Sequence, residues 1–170
     1  PPMSARRQRQ MCIRDSSVVS LSEPPLASLN EFVEQRLGDV VSDIHILPFF
    51  PSSSDDGFAV KDYLSVDGAL GQWSDIELIC ENRGLLVDLV INHCSSEHPW
   101  FEQFKSNAFP GKDFFIEVDP LLDLSKVVRP RTSELLRETE REDGSTFVWC
   151  TFSHDQVDLD FANPEVLKEI

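Results

Sequence analysis

The apolar run at residues 85–91, Leu-Leu-Val-Asp-Leu-Val-Ile, constrains the fold more than any other stretch, and Asn92 and His93 follow it directly. A continuous apolar run of this length is typical of a strand in a parallel sheet that is covered on both faces. Asp88 interrupts the run, and burial of an unpaired carboxylate is strongly unfavourable. We therefore expect Asp88 to have either a buried partner or a function.

Helical and extended patterns alternate before this run. Residues 24–39 have apolar side chains at helical spacing, residues 42–50 are short and extended, and residues 73–84 are again helical in pattern. Ser74 and Glu77 are predicted to form a capping box at the start of the second helix. Helix, strand, helix and strand at this spacing imply right-handed crossovers and a parallel sheet, so the pattern predicts an α/β fold.

The regular alternation ends near residue 108. Residues 108–155 mix short aromatic stretches, prolines and charge runs, which predicts an irregular, partly β insertion. Within it, residues 137–144 are interpreted as a solvated face or a flexible tip. Asn163 and Pro164 then predict the N-cap and first turn of a further helix.

The first 16 residues differ from the rest of the chain. They contain four arginines and show neither an apolar period nor the apolar core of a signal peptide. We expect residues 1–16 to be a foreign or disordered leader, with the fold starting at residue 17.

Charge and cysteine usage limit the partners and the compartment. The formal net charge of -15 opposes binding to nucleic acid or to an anionic membrane, whereas a small or neutral ligand is compatible with it. The sequence has no run of about 18 apolar residues of the kind that spans a bilayer. Its four cysteines are far apart, so we expect reduced thiols and a cytoplasmic protein.

Polar side chains follow two of the predicted strands. Asp55 and Asp56 come after one strand, and Asn92 and His93 come after the next. In a (β/α) barrel the loops that carry function leave from the carboxyl ends of the strands. From the residues alone two readings stay open, because a buried histidine often has only a structural partner and aspartates in a Ser/Asp/Gly loop often bond their own backbone.

Five segments carry a resemblance to a known family. They are HILPFFPSSSDDGFAVKDY, GQWSDI, LLVDLVINHCSSEHPWFEQF, VVRPR and TFSHDQVDLDFANPEVL. Together they resemble glycoside hydrolase family thirteen, the α-amylase family, and within it the sucrose phosphorylase subfamily, over about residues 17–170. DLVINH has a form shared by α-amylase relatives in general. The combination of HILPFFPSSSDDGF with RPR is more specific than DLVINH. It resembles the phosphorylases of sucrose, sucrose 6-phosphate, glucosylglycerate or glucosylglycerol.

The resemblance implies the N-terminal part of a (β/α)8 TIM barrel with an inserted domain B after the third strand. Residues 17–107 would be the first part of the catalytic barrel, and residues 108–155 would be domain B. Residues 156–170 would return to the barrel and start its next helix.

The resemblance also implies five substrate-binding residues. Asp55 would hold the far hydroxyls of the donor sugar, Phe58 would be an aromatic wall beside the reacting ring, and His93 would hydrogen-bond the glucosyl unit. Arg131, the second arginine of RPR, would contact phosphate or the acceptor, and Gln156 would approach the sugar. From the residues alone, Phe58 could equally be loop packing, and Arg131 could belong to a solvated pair with its neighbour arginine.

Two residues are implied to be structural. Asp88 would be a buried acid that orients the loop bearing Asn92 and His93. In many α-amylases the asparagine at the position of Asn92 is a calcium ligand, whereas sucrose phosphorylase relatives generally lack calcium. We therefore expect no metal and no cofactor.

The catalytic carboxylates are implied to lie beyond Ile170, so no catalytic residue is expected in this chain. We expect the 170 residues to be an inactive fragment of a retaining α-glucosyl phosphorylase, whose partners are a small sugar substrate and inorganic phosphate. The alternatives are a hydrolase or transglucosylase of the same family, and a noncatalytic sugar-binding remnant. The acceptor and the oligomeric state stay open.

Overall fold

A computed structural model describes residues 10–13, 23–129 and 131–170. The chain divides into two compact units. The first comprises Pro1–Pro51 and Leu64–Leu89, and the second comprises Ser52–Tyr63 and Val90–Ile170.

The first unit contains a parallel three-stranded sheet, as the alternating pattern predicts. Strands β1 (Gln10–Ile13), β2 (Asp43–Ile46) and β3 (Gly84–Val87) lie in the order β1-β2-β3. Helix α1 (Pro25–Phe32) precedes β2, and helix α2 (Trp73–Cys80) precedes β3. The core is formed by fully or almost fully buried aliphatic side chains: Leu26, Leu29, Val33, Ile44, Ile46, Ile76 and Ile79.

Strand β1 lies within the predicted foreign or disordered leader. Gln10–Ile13 pair in parallel with Asp43–Ile46, so these four residues form part of the sheet. The rest of the predicted leader lies outside the described residues.

Strand β3 is shorter and more exposed than the apolar run predicts. It ends at Val87, and it lies at an edge of the described sheet. Leu86, Val87 and Leu89 are 39, 46 and 76% exposed. The expectation of a strand buried on both faces over 85–91 is therefore wrong for the described residues, since the side chains of Leu86, Val87 and Leu89 are open to solvent.

The predicted helices are present, but their ends differ in detail. Helix α1 continues into a π-helical turn at Val33–Leu37. The N-cap of α2 is Gln72, whose backbone N–H donates to the carboxylate of Asp75 at 2.8 Å. The capping box predicted on Ser74 is wrong, because the helix begins at Trp73 and Ser74 already lies inside it.

The second unit is built from two short antiparallel sheets and two helices. Strand β4 (His93–Ser95) pairs with β7 (Gln156–Asp158), and β5 (Leu136–Arg141) forms a hairpin with β6 (Gly144–Trp149). Helix α3 (Pro99–Lys105) follows β4. Helix α4 (Pro164–Glu169) has Asn163 as its N-cap, as predicted.

An aromatic core holds the second unit together. The rings of Phe101 and Phe104 on α3 stack at 5.6 Å, and Phe115 meets both edge-on at 5.0 and 5.3 Å. Phe115 lies in the predicted insertion, so α3 packs with the inserted segment although the sequence places it in the barrel part. Edge-to-face packing of this kind stabilises beyond the area it buries.

The hairpin contains residues 137–144, for which the sequence predicts a solvated face or a flexible tip. Most of them lie in β5, and Glu138, Glu140, Glu142 and Asp143 are exposed, as in a solvated face. The side chain of Arg141 is only 9% exposed, pairs with Glu117 at 2.9 Å and lies 4.3 Å above the ring of Phe104. Its charged group is therefore part of the packing of the unit.

In the part of the chain that the structure describes, no helix is both long and apolar enough to cross a membrane.

His98 makes folding sensitive to pH. Its Nδ1 accepts the backbone N–H of Trp100 at 3.1 Å and so caps α3, and burial lowers the pKa of His98 to about 4 against the attraction of Asp62. The unfolded chain, with an ordinary histidine pKa of about 6.5, takes up this proton first. The stability is therefore complete above about pH 6.5 and is lost as the pH falls toward 4.

We predict that a His98→Asn variant loses less free energy of unfolding than the parent chain between pH 7 and pH 4. Asparagine also caps helices well but does not titrate in this range. Urea unfolding at several pH values measures the difference, and both proteins should be similarly stable at pH 7.5. Parallel pH profiles for the two proteins would contradict the assignment.

Candidate functional site

A strained turn presents the first candidate residue. Asp55 and Asp56 both have φ of 55°, and Gly57 has φ of 103°. For residues with a Cβ this region costs about 1–2 kcal/mol, although aspartate tolerates it better than most. Such strain persists only where the surroundings fix it, and it is common at functional sites. The turn leaves the Asp55 side chain 42% exposed.

His93 lies at the start of β4 and is only 4% exposed. Its Nε2 donates to the carbonyl oxygen of Phe58 at 2.9 Å, and its Nδ1 accepts from the Asn92 amide at 2.6 Å. Because a carbonyl oxygen can only accept, this pairing places the proton on Nε2. Burial lowers the pKa of His93. The hydrogen bond to the Phe58 carbonyl and the nearby carboxylates raise this pKa by less than burial lowers it, so the ring is neutral at pH 7.

Gln156 lies against both of these residues. It is 1% exposed at the start of β7, and the antiparallel register places it opposite Ser95 on β4. Its Nε2 donates to Asp55 Oδ2 at 3.0 Å and lies 3.1 Å from His93 Nε2, which is a close contact and not a hydrogen bond because both nitrogens carry protons. We call Asp55, His93 and Gln156 the amide-bridged cluster.

Arg131 and an aromatic ring border this cluster. Arg131 Nη2 lies 3.9 Å from Asp55 Oδ2, and its guanidinium carbon lies 5.7 Å from the centre of the Phe152 ring. The Phe152 ring centre is 5.1 Å from that of His93. The Arg131 side chain is 47% exposed, so it can reach a ligand in solvent.

The structure thus brings four predicted side chains together: Asp55, His93, Arg131 and Gln156. The contact of Phe58 with His93 is made by its backbone carbonyl, whereas its ring was expected to face the sugar. The predicted structural residue Asn92 holds the other nitrogen of the His93 ring.

Asp88 has a partner in the first unit. Its Oδ2 lies 3.0 Å from His45 Nε2 on the neighbouring strand β2, and its side chain is 29% exposed. Asp88 is therefore a half-buried acid paired with a histidine. This pairing resolves the question that the apolar run raises.

Sequence reasoning missed three residues near the cluster: Phe152, Asp155 and Asp158. Asp158 is 9% exposed, and burial raises its pKa although its carboxylate accepts from the backbone N–H of Thr151 at 3.0 Å and from the Thr151 hydroxyl at 2.5 Å. The available signal was their position in TFSHDQVDLD, the segment that also contains Gln156.

Among the described residues, no three or more His, Cys, Asp or Glu side chains are grouped so that they could hold a metal ion. What the cluster offers is a carboxylate acceptor, a neutral ring N–H donor and an amide, with a guanidinium at its border. This combination suits a ligand with several hydroxyl groups next to an anion.

Comparison with known proteins assigns the family. Residues 35–170 match the family described as "Alpha amylase, catalytic domain". The chain belongs to this family, and it forms part of the TIM-barrel fold of these enzymes.

Within the family, the chain is similar to several phosphorylases. It is 51% identical over 148 residues to glucosylglycerate phosphorylase from Spirochaeta thermophila, a match that covers 87% of this chain and 25% of the relative. It is 36% identical over 156 residues to sucrose phosphorylase from Streptococcus mutans, covering 85% and 31%. The crystal structure of sucrose 6F-phosphate phosphorylase from Thermoanaerobacter thermosaccharolyticum superposes with a TM-score of 0.85 at 30% identity and covers 98% of this chain and 36% of that one. The chain thus spans about a quarter to a third of the length of these relatives.

We predict that NMR will find His93 neutral at pH 7, with its proton on Nε2. The bond to the Phe58 carbonyl requires that tautomer, and burial moves the titration midpoint below the ordinary value of about 6.5. Long-range ¹H–¹⁵N spectra of the imidazole across a pH series measure both properties, with a His93→Gln variant to assign the signal. A charged ring at pH 7, or a proton on Nδ1, would contradict the described geometry.

Proposed function

We propose that the protein containing this chain is a retaining α-glucosyl phosphorylase, which transfers a glucosyl group from a glucoside to inorganic phosphate. In this proposal the chain supplies the donor-sugar contacts and an anion contact. The observation that carries it is the amide-bridged cluster, with Arg131 beside it, in a chain similar to glucoside phosphorylases.

The cluster would hold the glucosyl group through its hydroxyls. The half-exposed carboxylate of Asp55 can accept from two neighbouring hydroxyls at once. The Nε2–H of His93 and the amide of Gln156 would each exchange a present partner, the Phe58 carbonyl and the Asp55 carboxylate, for a hydroxyl of the same sugar. The Phe152 ring lies beside His93, where an aromatic face suits the apolar side of a sugar ring.

Arg131 would bring phosphate to the site. A chain with net charge -15 repels anions, and Asp55 adds to that repulsion locally. A guanidinium is always charged and presents a planar fork that matches phosphate. Its exposure and its place next to Asp55 allow it to contact phosphate beside a bound sugar.

We further propose glucosylglycerate as the donor. Relatives that are glucosylglycerate phosphorylases are 46 to 51% identical to this chain, whereas the sucrose phosphorylases compared with it are 26 to 36% identical. Sucrose is the second candidate.

In this proposal Asp55 binds sugar and is not the nucleophile. A retaining mechanism requires a carboxylate nucleophile and an acid/base carboxyl group about 5–5.5 Å apart, and both would come from segments outside these 170 residues. The 170-residue chain by itself is then expected to have no glycosyl-transfer activity.

The proposed function is tested with protein made from the complete reading frame of the gene. Glucose 1-phosphate should form from glucosylglycerate only when phosphate is present, and faster than from sucrose at equal concentration. Release of free glucose at the same rate without phosphate would identify a hydrolase and contradict the proposal.

We predict that Arg131→Ala raises the KM for phosphate about tenfold or more, as loss of a charge-assisted hydrogen bond should do. The KM for the donor glucoside should change by less than about threefold, because Arg131 is assigned to the anion. Steady-state kinetics with each substrate varied measure the two effects.

Lys126→Ala provides the matched control, since it removes one positive charge from the same inserted segment without a predicted role in the site. Its KM for phosphate should stay near the parent value. Equal effects of the two variants on the KM for phosphate would show that only the overall charge of the protein matters. The assignment of Arg131 to the site would then be wrong.

A further inference from the structure

Asp155 accepts hydrogen bonds from serines in two separate segments. The hydroxyl of Ser53 donates to Asp155 Oδ2 at 2.6 Å, and the hydroxyl of Ser54 donates to the same oxygen. The hydroxyl of Ser96 donates to Oδ1 at 2.8 Å. The backbone N–H of Ser96 also donates to the Asp155 carbonyl at 2.8 Å. One carboxylate therefore joins the turn at Ser53 and Ser54, the end of β4 and the start of β7.

A buried serine extends this network into β4. The hydroxyl of Ser95 lies 2.6 Å from that of Ser53 and accepts the backbone N–H of Glu97 at 2.9 Å. Because Ser53 already donates to Asp155, the consistent arrangement is that Ser95 donates to Ser53. The hydroxyl chain then runs in one direction and ends on the Asp155 carboxylate.

The carboxylate is held in its ionised form. Burial on its own would raise the pKa of Asp155, but hydrogen bonds from Ser53, Ser54 and Ser96, with the charge of Arg137, hold the pKa below its usual value. Arg137 also donates to the carbonyl oxygen of His154 at 2.6 Å, next to Asp155 in the chain. An ionised carboxylate can accept all three hydroxyls at once.

Each residue of the amide-bridged cluster is a close chain neighbour of this network. Ser54 directly precedes Asp55, and Asp155 directly precedes Gln156. Ser95 lies two residues after His93 on the same strand. The network therefore fixes the backbone next to all three cluster residues, including the turn whose positive φ angles need support from their surroundings.

We propose that Asp155 is a positioning residue of this site. Its ionised carboxylate holds the three cluster side chains in the positions that are needed to bind one sugar ring. It acts through the serines and the turn and does not itself touch the sugar. This inference rests on the proposed function only in requiring that the cluster binds a glucosyl group.

The test is Asp155→Asn in the complete protein. The side chain keeps its size but loses its charge, and one of its oxygens is replaced by an amide donor. A misplaced sugar contact should raise the donor KM about tenfold, while the KM for phosphate changes less than about twofold. Asp123→Asn is the matched control, because it is the same substitution at a fully exposed aspartate of the inserted segment. Its kinetic constants should stay at the parent values.

A second measurement does not depend on activity. Amide hydrogen exchange should become at least about tenfold faster at Ser53 and Ala59 in Asp155→Asn, because these two residues close the turn by backbone hydrogen bonds. The Asp123→Asn control should leave this exchange unchanged. Unchanged exchange, or an unchanged donor KM, would overturn the inference.

The two proposals can fail separately. If the complete protein hydrolyses the glucoside and does not transfer its glucosyl group to phosphate, the proposed function is wrong. The KM for the glucoside in the hydrolysis reaction then tests the role of Asp155 in the same way. If no glucoside is turned over, exchange at Ser53 and Ala59 alone decides whether Asp155 holds the turn.

Discussion

The amide of Gln156 is the contact on which the candidate site depends. It lies between the carboxylate of Asp55 and the ring of His93, at 3.0 and 3.1 Å, and is almost fully buried. The pairing of β4 with β7 makes this possible, because it brings the residue that follows the inserted segment to the strand that begins with His93.

In the proposed function, the charges around this amide suit a neutral, hydroxyl-rich ligand. His93 is neutral because it is buried, so it adds no charge to the site. Asp55 stays half-exposed in a strained turn and is free to accept hydrogen bonds from solvent or ligand. Arg131 adds one positive charge at the border, where an anion would otherwise be repelled by an acidic chain.

The sequence predicted the local elements better than the contacts between them. The spacing of apolar residues predicted the helix that contains Leu26 and Leu29, and it predicted the parallel strands. These elements could be predicted because their formation depends on residues that are neighbours in the sequence. The same spacing excluded Gln10–Ile13, whose place in the sheet depends on pairing with a distant strand. The grouping of Asp55 with Gln156 came only from family resemblance, because a hydrogen bond across 101 positions leaves no local pattern. Asp155 was missed for the same reason.

A crystal structure of the complete protein with a bound glucoside shows whether the amide-bridged cluster holds the sugar. Asp55, His93 and Gln156 are all expected to lie within about 3.2 Å of hydroxyl oxygens of the same glucosyl ring. A sugar bound elsewhere, or one that touches only one of the three side chains, would contradict this expectation.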